Sequence, residues 1–309
     1  MGGPSHSHSH APLTATATHR RRLLVVLVIT CLVVLGEVVG SVVSGSFALL
    51  ADAGHMVTDA AGLATALAAS SLASRPATAR RTFGWQRAEV LAALANGLLL
   101  TVVSVVVLIG GIRRLVVPDD GIRPGLMIVV ALVGLAANAV GLVLLRAGKD
   151  ESLNVRGAYL EVLGDAIGSV AVVVAGVVIA ATGFYRADGI ASVAIALLIL
   201  PRAWSLLRDV ALVLLEATPP EVDLDVVREH IARVPGVLAV HDLHAWTITS
   251  GVRVLSAHVV VTAERMADGG AQDVLARLRT CLAGHFDVDH CTFQLEGPQT
   301  ASEETSVHD

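Results

Sequence analysis

The chain has 309 residues, of which 54% are apolar and only 16% are charged, whereas soluble domains usually carry about a quarter charged residues. Its net charge of −5 is divided unevenly, because residues 1–215 hold 16 basic and 12 acidic residues while residues 216–309 hold 6 and 15. The apolar composition excludes a disordered chain, the three cysteines are too few for a disulfide scaffold, and no basic cluster resembles a nucleic-acid-binding surface. The scarcity of charge argues against a wholly soluble enzyme and indicates a polytopic membrane protein.

The first 22 residues are predicted to be a disordered cytoplasmic tail, in which His6, His8 and His10 are weak candidate metal ligands. Six apolar stretches follow, and each is long enough to cross a hydrocarbon core of about 30 Å as a helix. These predicted spans are 23–43, 47–73, 88–111, 125–146, 155–182 and 188–213. The sequence therefore predicts a transmembrane transport domain over residues 23–213.

Basic residues in the short loops set the predicted orientation, since arginine and lysine accumulate on the cytoplasmic side. Ten of them precede the first span or lie between spans two and three and spans four and five: Arg20, Arg21, Arg22, Arg75, Arg80, Arg81, Arg87, Arg146, Lys149 and Arg156. Four lie on the opposite side: Arg113, Arg114, Arg123 and Arg186. We therefore expect a multi-pass protein of the inner (plasma) membrane, in contact with lipid, with both termini in the cytoplasm.

The pattern changes after Pro219-Pro220, which end the last apolar helix. Short helices are predicted at 221–233 and 269–283, and strands at 238–248, 252–263 and 289–296. This αββαβ order predicts a small α+β cytoplasmic domain over residues 214–297, followed by a disordered tail at 298–309.

Ionisable residues inside two of the spans are the candidate functional site, because burying charge in a bilayer is costly. His55 and Asp59 lie one helical turn apart in span two, and Glu161 and Asp165 have the same spacing in span five. Together they offer four donors, the number that a tetrahedral divalent cation requires. Asp52 lies on the same stripe as His55 and is either an entry-path residue or a structural polar group. The single polar residues in spans one, three and four, Glu37, Asn96 and Asn138, are predicted to form hydrogen bonds between helices.

Four segments show that the sequence resembles the cation diffusion facilitators, whose bacterial members export zinc, cadmium and cobalt. They are SGSFALLADAGHM at 44–56, TFGWQRAEV at 82–90, NVRGAYL at 154–160 and VHDLHAW at 240–246. The resemblance implies efflux of a divalent metal, zinc first, in exchange for protons, and a ferredoxin-like cytoplasmic domain that forms a homodimer. It also implies that the transport site pairs a His-x-x-x-Asp motif in span two with another in span five. Glu161 replaces the histidine that zinc-selective relatives have, so manganese, iron or broad divalent selectivity is the alternative.

In relatives the cytoplasmic domain binds regulatory cations, and His241, His258 and His290 match those positions, with Glu296 as a fourth candidate ligand. Solvated surface histidines are the alternative explanation of this set. Strand alternation predicts that His241 and His244 point to opposite faces of the sheet. A membrane enzyme is disfavoured because the sequence lacks an HExxH or comparable motif, and a membrane metal sensor is the remaining alternative from another class.

Overall fold

The computed structural model describes residues 17–146, 153–267, 270–285 and 290–299, with side chains over 25–146, 155–267, 270–282 and 290–299. The tail histidines His6, His8 and His10 lie outside the described residues, as does most of the predicted C-terminal tail. The chain divides into two compact units, Met1–Leu63 with Leu98–Ala203 and Ala64–Gly97 with Trp204–Asp309.

Six long helices correspond to the six predicted spans. They are α1 (Ala17–Ser44), α2 (Phe47–Ala73), α3 (Ala88–Val116), α4 (Pro124–Arg146), α5 (Leu153–Thr182) and α6 (Arg186–Leu214). Each contains a window long and apolar enough to cross a membrane, with mean hydropathy between 1.3 and 2.6, so the prediction of six spans is confirmed. Helix α1 begins inside the predicted disordered tail, because residues 17–22 contain neither proline nor glycine to stop it.

Glycines allow the helices of the first unit to approach closely. A Cβ atom on Gly40 of α1 would lie 2.7 Å from the Val130 side chain of α4, and one on Gly176 of α5 would lie 2.7 Å from Ile128. Interfaces rich in small residues are typical of membrane helices, where packing rather than a hydrophobic driving force holds helices together. Helices α1, α4 and α5 therefore form one tightly packed group.

Asp188, in the first turn of α6, stabilises the start of α2. Its fully buried carboxylate accepts hydrogen bonds from Ser46 Oγ at 2.6 Å and from the backbone nitrogens of Phe47 and Ala48 at 3.0 and 3.1 Å. Arg114 of α3 donates to the same carboxylate at 2.9 Å. Because the first N–H groups of a helix have no partner within the helix, Asp188 acts as a cap supplied by another helix.

The C-terminal domain is a three-stranded mixed sheet with helices packed on it. Its elements are α7 (Leu224–Ala232), β1 (Val237–Thr249), β2 (Val252–Val261), α8 (Ala263–Met266), α9 (Gly270–His285) and β3 (His290–Glu296). β2 is central, antiparallel to β1 and parallel to β3. The core lies between the sheet and the helices, and contains Ile231, Leu255 and Leu278. The predicted α+β domain is confirmed, and the short α8 adds one turn that the αββαβ prediction lacks.

The connection between α2 and α3 contacts the C-terminal domain within the second unit. Arg87 pairs with Glu216 at 2.7 Å, and Thr249 Oγ1 donates to Glu89 at 2.9 Å. The ring of Phe83 contacts the His290 ring edge-on, with centroids 5.6 Å apart. The segment 82–90, which the sequence analysis singled out, therefore packs against the sheet domain.

Candidate functional site

The transport-site prediction combines α2 and α5, and the structure brings three of its four residues together. One ligand atom each from His55, Asp59 and Asp165 lies within 4.8 Å of the other two. His55 and Asp165 are buried and Asp59 is half-buried. The i,i+4 spacing places His55 and Asp59 on one side of α2, where Asp165 faces them from α5. One imidazole and two carboxylates around a point can hold a divalent metal ion.

The His55 ring lies between two carboxylates. Its Nε2 atom is 2.9 Å from Asp165 Oδ1, a hydrogen-bond distance, and its Nδ1 atom is 3.7 Å from Asp52 Oδ1. The Asp52 carboxylate therefore lies beside the second nitrogen of His55, beyond hydrogen-bond distance, on the side away from Asp165.

Glu161 is half-buried one turn before Asp165 on α5 and lies outside the three-residue group. It is within electrostatic range of Asp59, Asp165 and Arg202. A Cβ atom on Gly164 would lie 3.8 Å from Arg202 Nη1, which places the guanidinium beside this part of α5. Glu161 as a fourth ligand thus stays a prediction.

Asp52 was assigned by sequence either to an entry path or to a structural role. Its side chain is fully buried, and it accepts a hydrogen bond from Ser169 Oγ of α5 at 3.2 Å. Sequence reasoning missed Ser169, because a serine in an apolar helix is an ordinary packing residue. It also missed Asp188, although a lone acidic residue at the start of an apolar span was a usable signal.

The structure differs from the prediction that the single polar residues of α1, α3 and α4 form hydrogen bonds between helices. Among the described residues, both carboxylate oxygens of Glu37, Oδ1 of Asn96 and Nδ2 of Asn138 are buried without a hydrogen-bond partner. The expected hydrogen bonds between helices are therefore not made by these atoms. For Glu37 the physical reason is local, since the glycine of α4 that faces it, Gly134, offers no side chain.

The second candidate group lies on the sheet face away from the helices. His241 of β1 is directly opposite His258 of β2, and Glu296 of β3 reaches both. The distances are 3.3 Å from His241 Nε2 to Glu296 Oε2 and 2.8 Å from His258 Nδ1 to Glu296 Oε1. Gln294 donates a further hydrogen bond to Glu296 Oε1 at 2.7 Å. Three of the four predicted cytoplasmic ligands therefore meet across three strands.

His290, the fourth predicted cytoplasmic ligand, does not join them in this chain. It pairs with Val254, four residues before His258 on β2, which separates it from His258 by about 13 Å along the strand. Asp242 takes its place, because an Asp242 oxygen lies within 4.8 Å of ligand atoms of His241 and His258.

The predicted opposite orientation of His241 and His244 is wrong. The two residues face His258 and Ser256, which are two apart on β2 and hence on the same face. A bulge between them, with Asp242 at φ 45°, inserts a residue and reverses the alternation.

Comparisons with known proteins cover nearly the whole chain. Residues 23–215 match the cation efflux transmembrane domain, and residues 219–298 match the cation efflux protein cytoplasmic domain. The metal cation efflux system protein CzcD of Cupriavidus metallidurans is 44% identical over 88% of this chain and 85% of its own length. The zinc transporter ZitB of Escherichia coli is 40% identical over 84% and 82%. A cadmium, cobalt and zinc/H(+)-K(+) antiporter of Bacillus subtilis is 35% identical over 84% and 83%. The chain therefore belongs to the cation diffusion facilitator family of cation efflux proteins, which are multi-pass membrane transporters and not enzymes.

Proposed function

We propose that this protein exports a divalent metal cation, zinc first and cadmium or cobalt as further substrates, in exchange for protons. The observation that carries the proposal is the buried group of His55, Asp59 and Asp165 between two membrane helices. The relatives, which include a zinc transporter and a cadmium, cobalt and zinc antiporter, support this substrate class.

Proton exchange follows from the chemistry of the donors. A metal-bound imidazole must be neutral on the coordinating nitrogen, and the carboxylates must be ionised, so metal binding displaces protons from the site. An imidazole changes its charge near neutral pH, which suits His55 as the proton carrier. Protons that arrive from the outer side would then compete with the metal for His55, with Glu161 as a second acceptor, and release the metal. Rocking of α2 and α5 against the other helices would alternate access to the two sides.

The orientation and the assembly belong to the same proposal. The excess of loop arginines and lysines favours both termini in the cytoplasm, so metal enters from the side of the C-terminal domain. We infer that this domain pairs with a second copy and that His241, His258 and Glu296 hold a regulatory cation, with Asp242 as an added ligand. The short distances from Glu296 to both histidines support this second site.

Metal-driven proton flux in proteoliposomes tests the proposed activity. Wild-type protein is reconstituted with a pH-sensitive dye inside sealed vesicles, and zinc is added on one side. We expect zinc-dependent proton movement that falls to background in His55→Ala and in Asp59→Ala, while His230→Ala, which removes a half-buried imidazole from the last turn of α7, retains it. Full flux in either site variant would remove the assignment, and proton movement without metal movement would contradict exchange. A sensor without transport activity would produce no zinc-dependent flux in any variant.

A further inference from the structure

A second group of buried polar side chains lies beside His55, Asp59 and Asp165. Three helices supply one residue each: Glu37 from α1, Asp52 from α2 and Ser169 from α5. Their exposed fractions are 1%, 0% and 0%. Asp52 precedes His55 by three residues on α2, so the group lies about one helical turn closer to the α1–α2 turn.

The carboxylates of this group are not satisfied by the described protein atoms. Oε1 and Oε2 of Glu37 and Oδ1 of Asp52 have no hydrogen-bond partner there, and Ser169 Oγ donates to Oδ2 of Asp52 at 3.2 Å. The same membrane unit satisfies Asp188, which is equally buried, with a hydroxyl, two backbone N–H groups and an arginine. An ionised carboxylate buried without a partner is strongly disfavoured, so Glu37, both of whose oxygens lack one among the described atoms, favours a positively charged or protonating occupant, and the free Oδ1 of Asp52 offers a further ligand atom.

Glycines on the neighbouring helices bring backbone close to both carboxylates. A Cβ atom on Gly134 of α4 would lie 2.5 Å from Glu37 Oε1 and 3.5 Å from Ser169 Oγ. A Cβ atom on Gly168 of α5 would collide with Asp52 Oδ1. Any larger residue at either position would displace a carboxylate, so the two glycines allow the oxygens of Glu37 and Asp52 to lie directly against the neighbouring helices.

The donors define the chemistry of the occupant. Two carboxylates and a hydroxyl offer oxygen ligands without imidazole or thiolate, a set that suits a hard or partly hydrated divalent cation. A divalent ion also carries the two positive charges that would neutralise Glu37 and Asp52 together. We propose that Glu37, Asp52 and Ser169 form a second, oxygen-only cation site, which the transported metal occupies after it leaves His55, Asp59 and Asp165.

This relay site rests on the proposed function for its direction. With both termini in the cytoplasm, the α1–α2 turn lies on the outer side, and Asp52 lies between His55 and that side. The 3.7 Å separation of Asp52 Oδ1 from His55 Nδ1 makes the two sites neighbours. Two divalent ions this close repel each other strongly, so the sites are occupied in turn.

Binding of Mn²⁺ to the purified full chain tests the site independently of transport, because Mn²⁺ prefers oxygen ligands and is observed directly by electron paramagnetic resonance. The His241→Ala/His258→Ala background removes the cytoplasmic histidines, and His55→Ala, Asp59→Asn and Asp165→Asn are added so that the transport-site group offers Mn²⁺ neither its imidazole nor its two carboxylates. We expect one Mn²⁺ per chain to remain bound in this parent. Glu37→Gln should weaken Mn²⁺ binding at least tenfold. Ser169→Ala, which removes an uncharged oxygen, should weaken it about threefold. Ser104→Ala is the matched control, since this buried serine of α3 donates within its own helix to Leu100 O.

Equal Mn²⁺ affinity in the parent and in Glu37→Gln overturns the proposal, as does a parent that binds no Mn²⁺. If Glu37→Gln does not fold, Ser169→Ala gives the decision, and unchanged affinity in that variant overturns the proposal. In the otherwise wild-type chain we expect Glu37→Gln to lower the maximal zinc flux at least tenfold while KM changes less than threefold, because loading at His55 is retained and release is slowed. A wild-type chain that binds Mn²⁺ at Glu37 without transporting zinc would contradict the proposed function and leave the site standing as a binding site.

Discussion

The two histidine–carboxylate groups of this chain differ in how their carboxylates are satisfied. On the sheet, Glu296 is contacted by two imidazoles and by the amide of Gln294, and both histidines keep about a quarter of their side-chain surface exposed. In the membrane unit, the carboxylates around His55 have few donors, and water has little access to them. A group satisfied by its own neighbours keeps its shape with or without an ion. A group whose carboxylates lack such donors favours binding of a cation, which is the property that the proposed transport site needs in order to bind and release its metal in every cycle.

The largest predicted effect is a loss of stability in Asp188→Asn. It tests whether Asp188 has a structural role that distinguishes it from the carboxylates of the candidate transport site in the same unit. Asp188→Asn keeps the shape of the side chain and removes the charge that pairs with Arg114. We expect a loss of about 3 kcal/mol in stability, because Arg114 would be left partly buried without its main partner and the start of α2 would lose a charged cap. The measurement is thermal unfolding of the detergent-solubilised chain.

Asp209→Asn on an exposed part of α6 is the control for Asp188→Asn, and we expect it to leave the melting temperature unchanged. A melting temperature of Asp188→Asn equal to that of the control would show that full hydrogen bonding does not distinguish structural carboxylates in this unit.

Features that depend on residues close together in the sequence could be predicted from it. Contacts between residues far apart in the sequence depend on how the helices and strands pack, and residue spacing alone does not give them. The six helices follow from apolar length, and the placing of His55 with Asp59 and of Glu161 with Asp165 on one side of a helix follows from helical periodicity, both of which are local patterns. The pairing of the two motifs across 110 residues was expected from the family resemblance. The partners of Asp188 could not be predicted, because Ser46 is 142 residues away in sequence and its contact depends on how the helices pack. The bulge at Asp242 and the distance of His290 from His258 depend on strand register, which alternation alone does not fix.

Glu296→Gln tests the sheet side of the comparison. The amide keeps the size of the side chain but removes the charge that faces His241 and His258, so we expect the affinity of the cytoplasmic site for zinc to fall about 30-fold. Calorimetry on the full chain in the His55→Ala background isolates this site. His290→Ala is the control, because His290 lies six residues before Glu296 on β3 and should change the affinity less than threefold. A larger loss in His290→Ala than in Glu296→Gln would mean that the cation is held elsewhere on the sheet.

Glu161→His sharpens the membrane side of the comparison. The substitution replaces an oxygen donor beside Asp59 and Asp165 with an imidazole, which favours zinc over manganese. We expect the ratio of zinc to manganese transport to rise about tenfold in a competition series with zinc, cadmium, cobalt and manganese. Glu161→Gln, which keeps an oxygen donor without the charge, is the matched control and should not raise that ratio. Unchanged ratios for all four metals in Glu161→His would remove Glu161 from the selectivity of the site.

The smallest predicted effect tests whether the sheet has one dry and one wet face. Cys291 of β3 packs toward the helices, and burial raises the pKa of its thiol while the charge of Arg279 opposes this. Only the thiolate reacts with iodoacetamide, so in a Cys31→Ser/Cys281→Ser background the pH midpoint of alkylation should lie above the value of about 8.5 for a free cysteine. Arg279→Gln should raise the midpoint further. Because folding favours the neutral thiol, the same shift predicts that its contribution to stability is present below the pKa of the unfolded chain and is lost as pH rises through the folded value. A midpoint at or below 8.5 would mean that water reaches the helix side of the sheet, and the contrast between Cys291 and the exposed histidine face would no longer hold.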